Sequence, residues 1–410
     1  MSDVSRRQFV KLAASLPCVG AELAPGYSAN RTSAPQAEQA PALETTLTID
    51  QNPIRRRGVG LRGIDQARAC PGLTLFAPSG LSEVFLIDLR GAVVHSWKLP
   101  YRPGLYGYLT DRGTLLYNGQ IPNETFLGKS PFMAGSIMEV DWNGSVLWEL
   151  KRPDHHHDGR LLKNGNLILL CGAELPDDIA RRVRGGRAGT EVGGRKIWAD
   201  SIVEVTKEGK VVWEWKTWEH LDPDADIITA VQDERTEWTH ANSVWEDADG
   251  SLLVSFRNIS TIVRIDRQTG KIVWRLGAPP LSGQHAPYRL PNGNVLLFDN
   301  GPHRLDESYP FSRVVEINPA TKAIAWKYQE PRTFNFYSPR ISNAQRLPNG
   351  NTLINEGVFG RFFEVTTDGD VVWEYVNPYF GPSTAAPKAQ QNAVFRVYRY
   401  TEEEIARVRR

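Results

Sequence analysis

Val84-Phe85-Leu86-Ile87-Asp88-Leu89-Arg90-Gly91-Ala92-Val93-Val94-His95-Ser96-Trp97 is an apolar strand, a turn and a second apolar strand ending in tryptophan. It returns as Ser136-Ile137-Met138-Glu139-Val140-Asp141-Trp142-Asn143-Gly144-Ser145-Val146-Leu147-Trp148. Alternating strands on either side of a tight Asp/Asn/Gly turn are the signature of a β-hairpin. The tryptophan comes back as Trp213, Trp274, Trp326 and Trp373, so six of the 12 tryptophans mark one repeat position, about 55 residues apart.

A second motif follows each hairpin: Asp111-Arg112-Gly113-Thr114, Lys163-Asn164-Gly165-Asn166, Asp249-Gly250-Ser251, Pro291-Asn292-Gly293-Asn294 and Pro348-Asn349-Gly350-Asn351, each running into an apolar strand. Asn-Gly suits a two-residue turn because both positions tolerate positive φ. Each repeat thus supplies about four strands. The predicted fold is an all-β, six-bladed β-propeller of four-stranded blades over residues 59–400, one blade per tryptophan. The sixth repeat lacks its Asn-Gly turn, but Asn392-Ala393-Val394-Phe395-Arg396-Val397-Tyr398 can close the ring beside the first blade, removing exposed sheet edges. Helical periodicity is confined to a C-terminal tail, 401–410, which excludes an α-solenoid.

Lys and Arg number 48 against 47 Asp and Glu, with no basic stripe, so nucleic acid and anionic membrane surfaces are not expected partners. Ser5-Arg6-Arg7-Gln8-Phe9 precedes an apolar run too short to span a bilayer. This reads as a twin-arginine signal peptide over residues 1–24, followed by an Ala/Pro/Ser-rich linker over 25–58. The expected location is periplasmic or secreted, reached through the twin-arginine export machinery, without stable membrane insertion. Export permits a disulfide between Cys70 and Cys171; two buried free thiols fit the sequence equally well.

Inner strands of a propeller converge on a channel, so residues that break the repeat there are candidates for chemistry. His157 and His285 each stand seven residues before an Asn-Gly turn, and His240 holds the matching place in a third repeat. One histidine alone reads as structural or exposed; three of the eight at one repeat position, facing one axis, form a candidate site. Neutral imidazoles can act as nucleophile, base or metal ligand. Arg257, at the end of a strand read as the inner one, Ser251 to Arg257, brings a cation suited to oxyanions, although an arginine there could equally make a blade-to-blade salt bridge. His155-His156-His157 cannot all ligate one ion from a regular strand, and no carboxylate or cysteine recurs with the three histidines, so no metal and no cofactor is expected.

Glu237-Trp238-Thr239-His240-Ala241-Asn242-Ser243, Ser255-Phe256-Arg257, Gln284-His285 and Phe298-Asp299-Asn300-Gly301 resemble motifs of the bacterial arylsulfate sulfotransferases, and the resemblance runs from about Leu73 to Tyr379. It implies transfer of a sulfuryl group from an aryl sulfate donor to a phenol through a sulfohistidine, with ping-pong kinetics and no cofactor. By motif, His285 is the expected nucleophile. His157, His240 and Arg257 would hold the sulfuryl oxygens, a protonated histidine helping Arg257. Tyr106, Trp238, Phe256 and Asn242 are the expected substrate-binding residues, and Tyr108, Tyr288, Phe334, Phe336 and Tyr337 further candidates for an aromatic mouth. Well-known members of that family carry an extra N-terminal β-domain, for which the stretch before the first repeat here is too short. They also have a closely spaced cysteine pair, whereas Cys70 and Cys171 fall in different blades. Two other functions share the fold pattern: a non-catalytic ligand-binding scaffold, and a pyrroloquinoline-quinone dehydrogenase suggested by Ile265-Asp266-Arg267-Gln268-Thr269-Gly270.

Overall fold

Runs such as Leu252-Leu253-Val254 and Val295-Leu296-Leu297-Phe298 are buried on both faces, as strands sandwiched between neighbouring sheets must be. Outermost strands such as Val146–Lys151 and Ile324–Tyr328 expose much of one side. The computed structural model describes residues 58–409 apart from 123, 191–195, 384, 385 and 387. The expected signal peptide lies outside the described residues, as does the linker up to its last position. Among the described residues no helix is long and apolar enough to cross a membrane.

Six antiparallel four-stranded blades form a six-bladed β-propeller. Five run inside to outside in chain order, from the inner strands Pro103–Leu109, His155–Leu161, Ala241–Glu246, His285–Arg289 and Asn343–Arg346 (blades 2 to 6). In blade 1 the inner strand is Val394–Tyr400, paired with Leu73–Pro78 in a register that sets Leu73 against Tyr400. Gly60–Ile64 adds a fifth strand outside blade 6. A short helix, Glu402–Val408, capped by a Thr401/Glu404 box, then packs Ile405 and Val408 into the core between blades 1 and 2. Cys70 and Cys171 are buried free thiols.

The phase of the repeat differs from the sequence reading in one respect. The tryptophan hairpin forms strands three and four of a blade, and the Asn-Gly turn joins strands one and two of the next. Ser251 to Arg257 is therefore not an inner strand: Leu252–Phe256 is the second strand of blade 4, and Arg257 lies just beyond it.

Two repeated polar clamps hold the blades together. At each boundary an indole Nε1 donates to a carbonyl in the outer turn of the next blade: Trp97 to Asp141, Trp148 to Lys207, Trp274 to Pro319, Trp326 to Thr367 and Trp373 to Leu89. At the third boundary the donor is Trp215, to Gly270, rather than Trp213. Trp97 and Trp215 share one register row. His95, not Trp97, stands in the row of Trp148 and Trp213, and residues two apart on a strand share a face. The second clamp is a glutamate on strand three that accepts from the turn asparagines and pairs with an arginine. Asn164 and Asn166 donate to Glu204, and Asn292 and Asn294 to Glu316. Arg267 and Arg346 close the other side of these carboxylates. Blade 4 inverts the signs, with Arg264 on strand three and Asp247 and Asp249 at the turn.

Glu316→Ala strips three donors of their shared acceptor at a nearly buried position. It should cost about 3 kcal/mol of unfolding free energy by urea titration. A change below about 0.5 kcal/mol, the scale of an ordinary surface site, would contradict the clamp.

Candidate functional site

Inner strands do not run straight to the mouth of the channel. Register shifts interrupt their pairing between Pro103 and Gly107, at Leu169/Leu170 opposite His156 and Gly159, between Ala241 and Ser243, and between His285 and Tyr288. Such bulges bend a strand and re-aim a side chain. Beside them the backbone enters the left-handed region at Leu105, His157, His240 and Ala286, and it does so again at Ile341 and Ser342 before the regularly paired inner strand of blade 6. For residues with a Cβ each such conformation costs on the order of 1 kcal/mol or more, tolerated only where surroundings enforce it. At this mouth the bulged strands bring His157, His240 and His285 into one cavity of about 530 Å3, which Arg257 enters from just past the second strand of blade 4.

His285 has a defined tautomer. Its Nδ1–H faces Asn300 Oδ1 at 2.8 Å and Gly283 O at 3.1 Å, both acceptors. Asn300 is oriented by donating Nδ2 to Ser338 O and Ile341 O. The lone pair is thus on Nε2, where it accepts the Ile341 N–H at 3.2 Å. His157 and His240 lie with ring centroids 4.6 Å apart, and Phe132 stacks on His157 at 4.6 Å. His157 Nδ1 meets His156 Nδ1 at 2.8 Å, and His156 reaches Asp200 at 3.0 Å. Glu237 lies 2.6 Å from His240 Nδ1. Arg257 donates Nη1 to Asp233 and Asn258 at 2.7 Å each, and its backbone N–H bonds His240 O.

Burial, reinforced by Arg257, holds His240 down to about 3 and His285 well below the usual imidazole range. Burial and then the neighbouring His240 do the same for His157. Burial and then the Asp200 charge push the Glu237 carboxyl well up from its usual range, beside His240 Nδ1. The three imidazoles are therefore neutral at neutral pH, and Arg257 is the cation among the four; a protonated histidine beside it is not part of the resting site.

The floor is Asp158, fully buried. It accepts Tyr106 O–H from blade 2, Val244 N–H from blade 4 at 3.0 Å and Arg396 Nη1 from blade 1 at 2.9 Å. Arg160 approaches it at 3.4 Å. Burial pushes this carboxyl up, but Arg396 and Arg160 outweigh burial and hold it below the ordinary carboxylate range.

The residues expected to bind substrate are placed elsewhere. Tyr106 is buried under Arg396 as part of the floor, Trp238 and Phe256 belong to the core, with Trp238 Nε1 donating to Asp226 O, and Asn242 spends its amide on Gln284 O. The apolar walls are Leu105, Phe132, Ile341, Val358 and Phe395. No motif carries these. Asn300 and Glu237 do lie in the quoted motifs, and their proximity to histidines was the missing signal. Phe336 is core, Phe334 is exposed, and Tyr108 and Tyr288 face the other end of the channel. Among the described residues no three His, Cys, Asp or Glu side chains converge closely enough to hold a metal ion.

A model of the arylsulfotransferase (ASST) family matches residues 82–281 and 279–380. Arylsulfate sulfotransferase AssT of Escherichia coli O6:H1 is 24% identical over 366 residues, covering 68% of this chain and 58% of that protein. The chain therefore spans less than two thirds of that relative's length. A crystal structure of a Bacteroides caccae protein of unknown function superimposes with a TM-score of 0.50 at 15% identity, over 81% of this chain and 100% of that one, a likeness of fold alone.

Four buried histidines, His155 (held down to about 4), His157, His240 and His285, are neutral when folded and take up protons on unfolding below their ordinary value of 6.5. Stability is thus full above about pH 6.5 and falls as pH drops toward about 4, Glu237 alone opposing within this group. Tm measured across that window should decrease steadily; a flat profile contradicts neutral burial.

Proposed function

The chain belongs to the arylsulfotransferase family, and on that premise we propose that it transfers a sulfuryl group from an aryl sulfate to a phenol by way of a sulfohistidine. The observation that carries the proposal is the pairing, in one cavity, of a fixed Nε2 lone pair on His285 with the Arg257 cation and two further imidazoles. In the first half-reaction Nε2 of His285 attacks sulfur in line with the aryl oxygen. The N–S bond forms, the S–O(aryl) bond breaks, and the electron pair leaves with the phenolate. The Ile341 N–H must give up Nε2 for this, a loss of about 1 kcal/mol.

Charge on the non-bridging oxygens falls to Arg257 and to imidazole N–H donors, which need not be protonated to donate. With Glu237 neutral and donating to His240 Nδ1, His240 carries its own proton on Nε2, facing the cavity. That proton passes to the departing phenolate and is replaced at Nδ1 from the Glu237 carboxyl. The second half-reaction reverses each step: the acceptor phenol returns its proton to His240 and Glu237, its oxygen attacks sulfur, and His285 is released. Phe132, Leu105 and Phe395 offer the aryl ring apolar walls. The Ser5-Arg6-Arg7-Gln8-Phe9 segment supports export by the twin-arginine route to the periplasm or beyond.

Incubation with 4-nitrophenyl sulfate and phenol should release nitrophenol and yield phenyl sulfate. With donor alone, mass spectrometry should find one sulfuryl group on the peptide containing His285. His285→Ala abolishes the adduct, and Arg257→Ala lowers kcat by about 10²–10³-fold. A folded protein that releases no nitrophenol rules the proposal out. Arg6→Lys with Arg7→Lys should leave the protein in the cytoplasm on cell fractionation; unchanged export would remove the twin-arginine assignment.

A further inference from the structure

Past the Asp158–Arg396 floor the channel reopens into a second cavity of about 600 Å3, which shares no lining residue with the first. Four tyrosines stand round it, each with its hydroxyl oxygen already used as an acceptor. Tyr108 accepts Leu161 N–H at 3.0 Å, Tyr288 accepts Arg346 N–H at 2.7 Å and Tyr400 accepts Leu109 N–H at 2.9 Å. Tyr398 accepts from Arg160 at 3.1 Å. A phenol oxygen that accepts still has its own proton to give, and among the described residues no acceptor takes these four. Burial raises Tyr108 and Tyr288 to about 12, so they stay protonated donors. Ser243 Oγ, also in the wall and 3% exposed, has no hydrogen-bond partner among the described residues.

Charge points the same way. Arg160 sits against Trp245 at 5.0 Å and Tyr108 at 5.2 Å, and Arg112 and Lys163 stand at the rim. Of the two lining carboxylates, Glu246 accepts Lys163 N–H and faces Arg267, and Asp111 is at the exposed edge. Trp245 and Tyr288 line the cavity with ring centroids 5.4 Å apart and planes tilted by 55°. A wall of unspent O–H donors, a stacked guanidinium and aromatic rings asks for a ligand that is acceptor-rich, negative and flat. The volume suits a small molecule.

We propose that this cavity is a second binding site, for a planar aromatic anion, separate from the histidine cavity and independent of the chemistry assigned there.

Naphthalene-2-sulfonate is a suitable probe, because its sulfur is bonded to carbon and cannot be transferred. Calorimetric titration of the full chain should show binding that survives Arg257→Ala. It should weaken about 10–100-fold in Tyr398→Phe, the loss of one hydrogen bond to a charged group, and also weaken in Trp245→Leu, while Tyr398→Phe leaves nitrophenol release unchanged. Neutral naphthalene-2-methanol should bind at least about tenfold more weakly. Binding lost in Arg257→Ala and untouched by Tyr398→Phe would place the anion only in the first cavity and overturn the proposal. Should either variant fail to fold, a crystal of the unaltered protein soaked in the 6-bromo anion decides: bromine near Trp245 and Tyr288 supports the second site, and bromine found only beside Arg257, or nowhere, refutes it.

Discussion

Everything at the centre of this propeller rests on one buried carboxylate. Asp158 gathers groups from blades 1, 2 and 4 as well as its own, through Arg396, Tyr106, Val244 and Arg160. A lone carboxylate so deep would be expelled or neutralised. It stays ionised because two guanidiniums, a phenol and an amide take the place of water. The arrangement leaves one positive charge in excess, from two arginines against one aspartate, and that excess lies between the two cavities. A chain whose formal net charge is only +1 thus concentrates positive potential on its axis.

The outer body and the inner mouth follow different rules. Indole-to-carbonyl bonds and the Glu/Asn clamps recur from blade to blade because each blade faces the same packing problem against the next. At the mouth the repeat is broken: histidines stand on two inner strands and just before a third, Leu105 on a fourth and Phe395 on a fifth. Burial keeps the histidines neutral in a field already positive from Arg257 and Arg396, which suits a nucleophile whose lone pair must stay free.

Periodic, local chemistry was legible in the sequence. Tryptophan spacing and Asn-Gly turns gave blade number and four strands per blade but not which strand is innermost, and the departures from repeat brought out the histidines and Arg257. What hid was set by bulges and by distant chain. A register shift between Pro103 and Gly107 turns Tyr106 into floor and Tyr108 into the far cavity, though both look like mouth aromatics in a string of letters. Trp238 and Phe256 sit beside site residues in sequence, yet Phe256 alternates into the core at the end of its strand and Trp238 is drawn there from a bend by its bond to Asp226 O. Arg396 and Phe395 belong to a strand identified only as a closing element, and nothing local announces that it also furnishes the axis.

That last strand gives the molecule a built-in order of assembly. Val394–Tyr400 follows every other blade strand in the chain, yet it pairs with Leu73–Pro78 and delivers Arg396 to Asp158 and Phe395 to the histidine cavity. As synthesis proceeds, blade 1 waits with an open edge and Asp158 waits without its strongest counter-charge. Until that long-range pairing closes, the histidine cavity lacks its Phe395 wall and the Asp158 floor beneath it lacks Arg396. Competence is therefore timed by ring closure, and a partly made chain carries all three histidines without a working pocket around them.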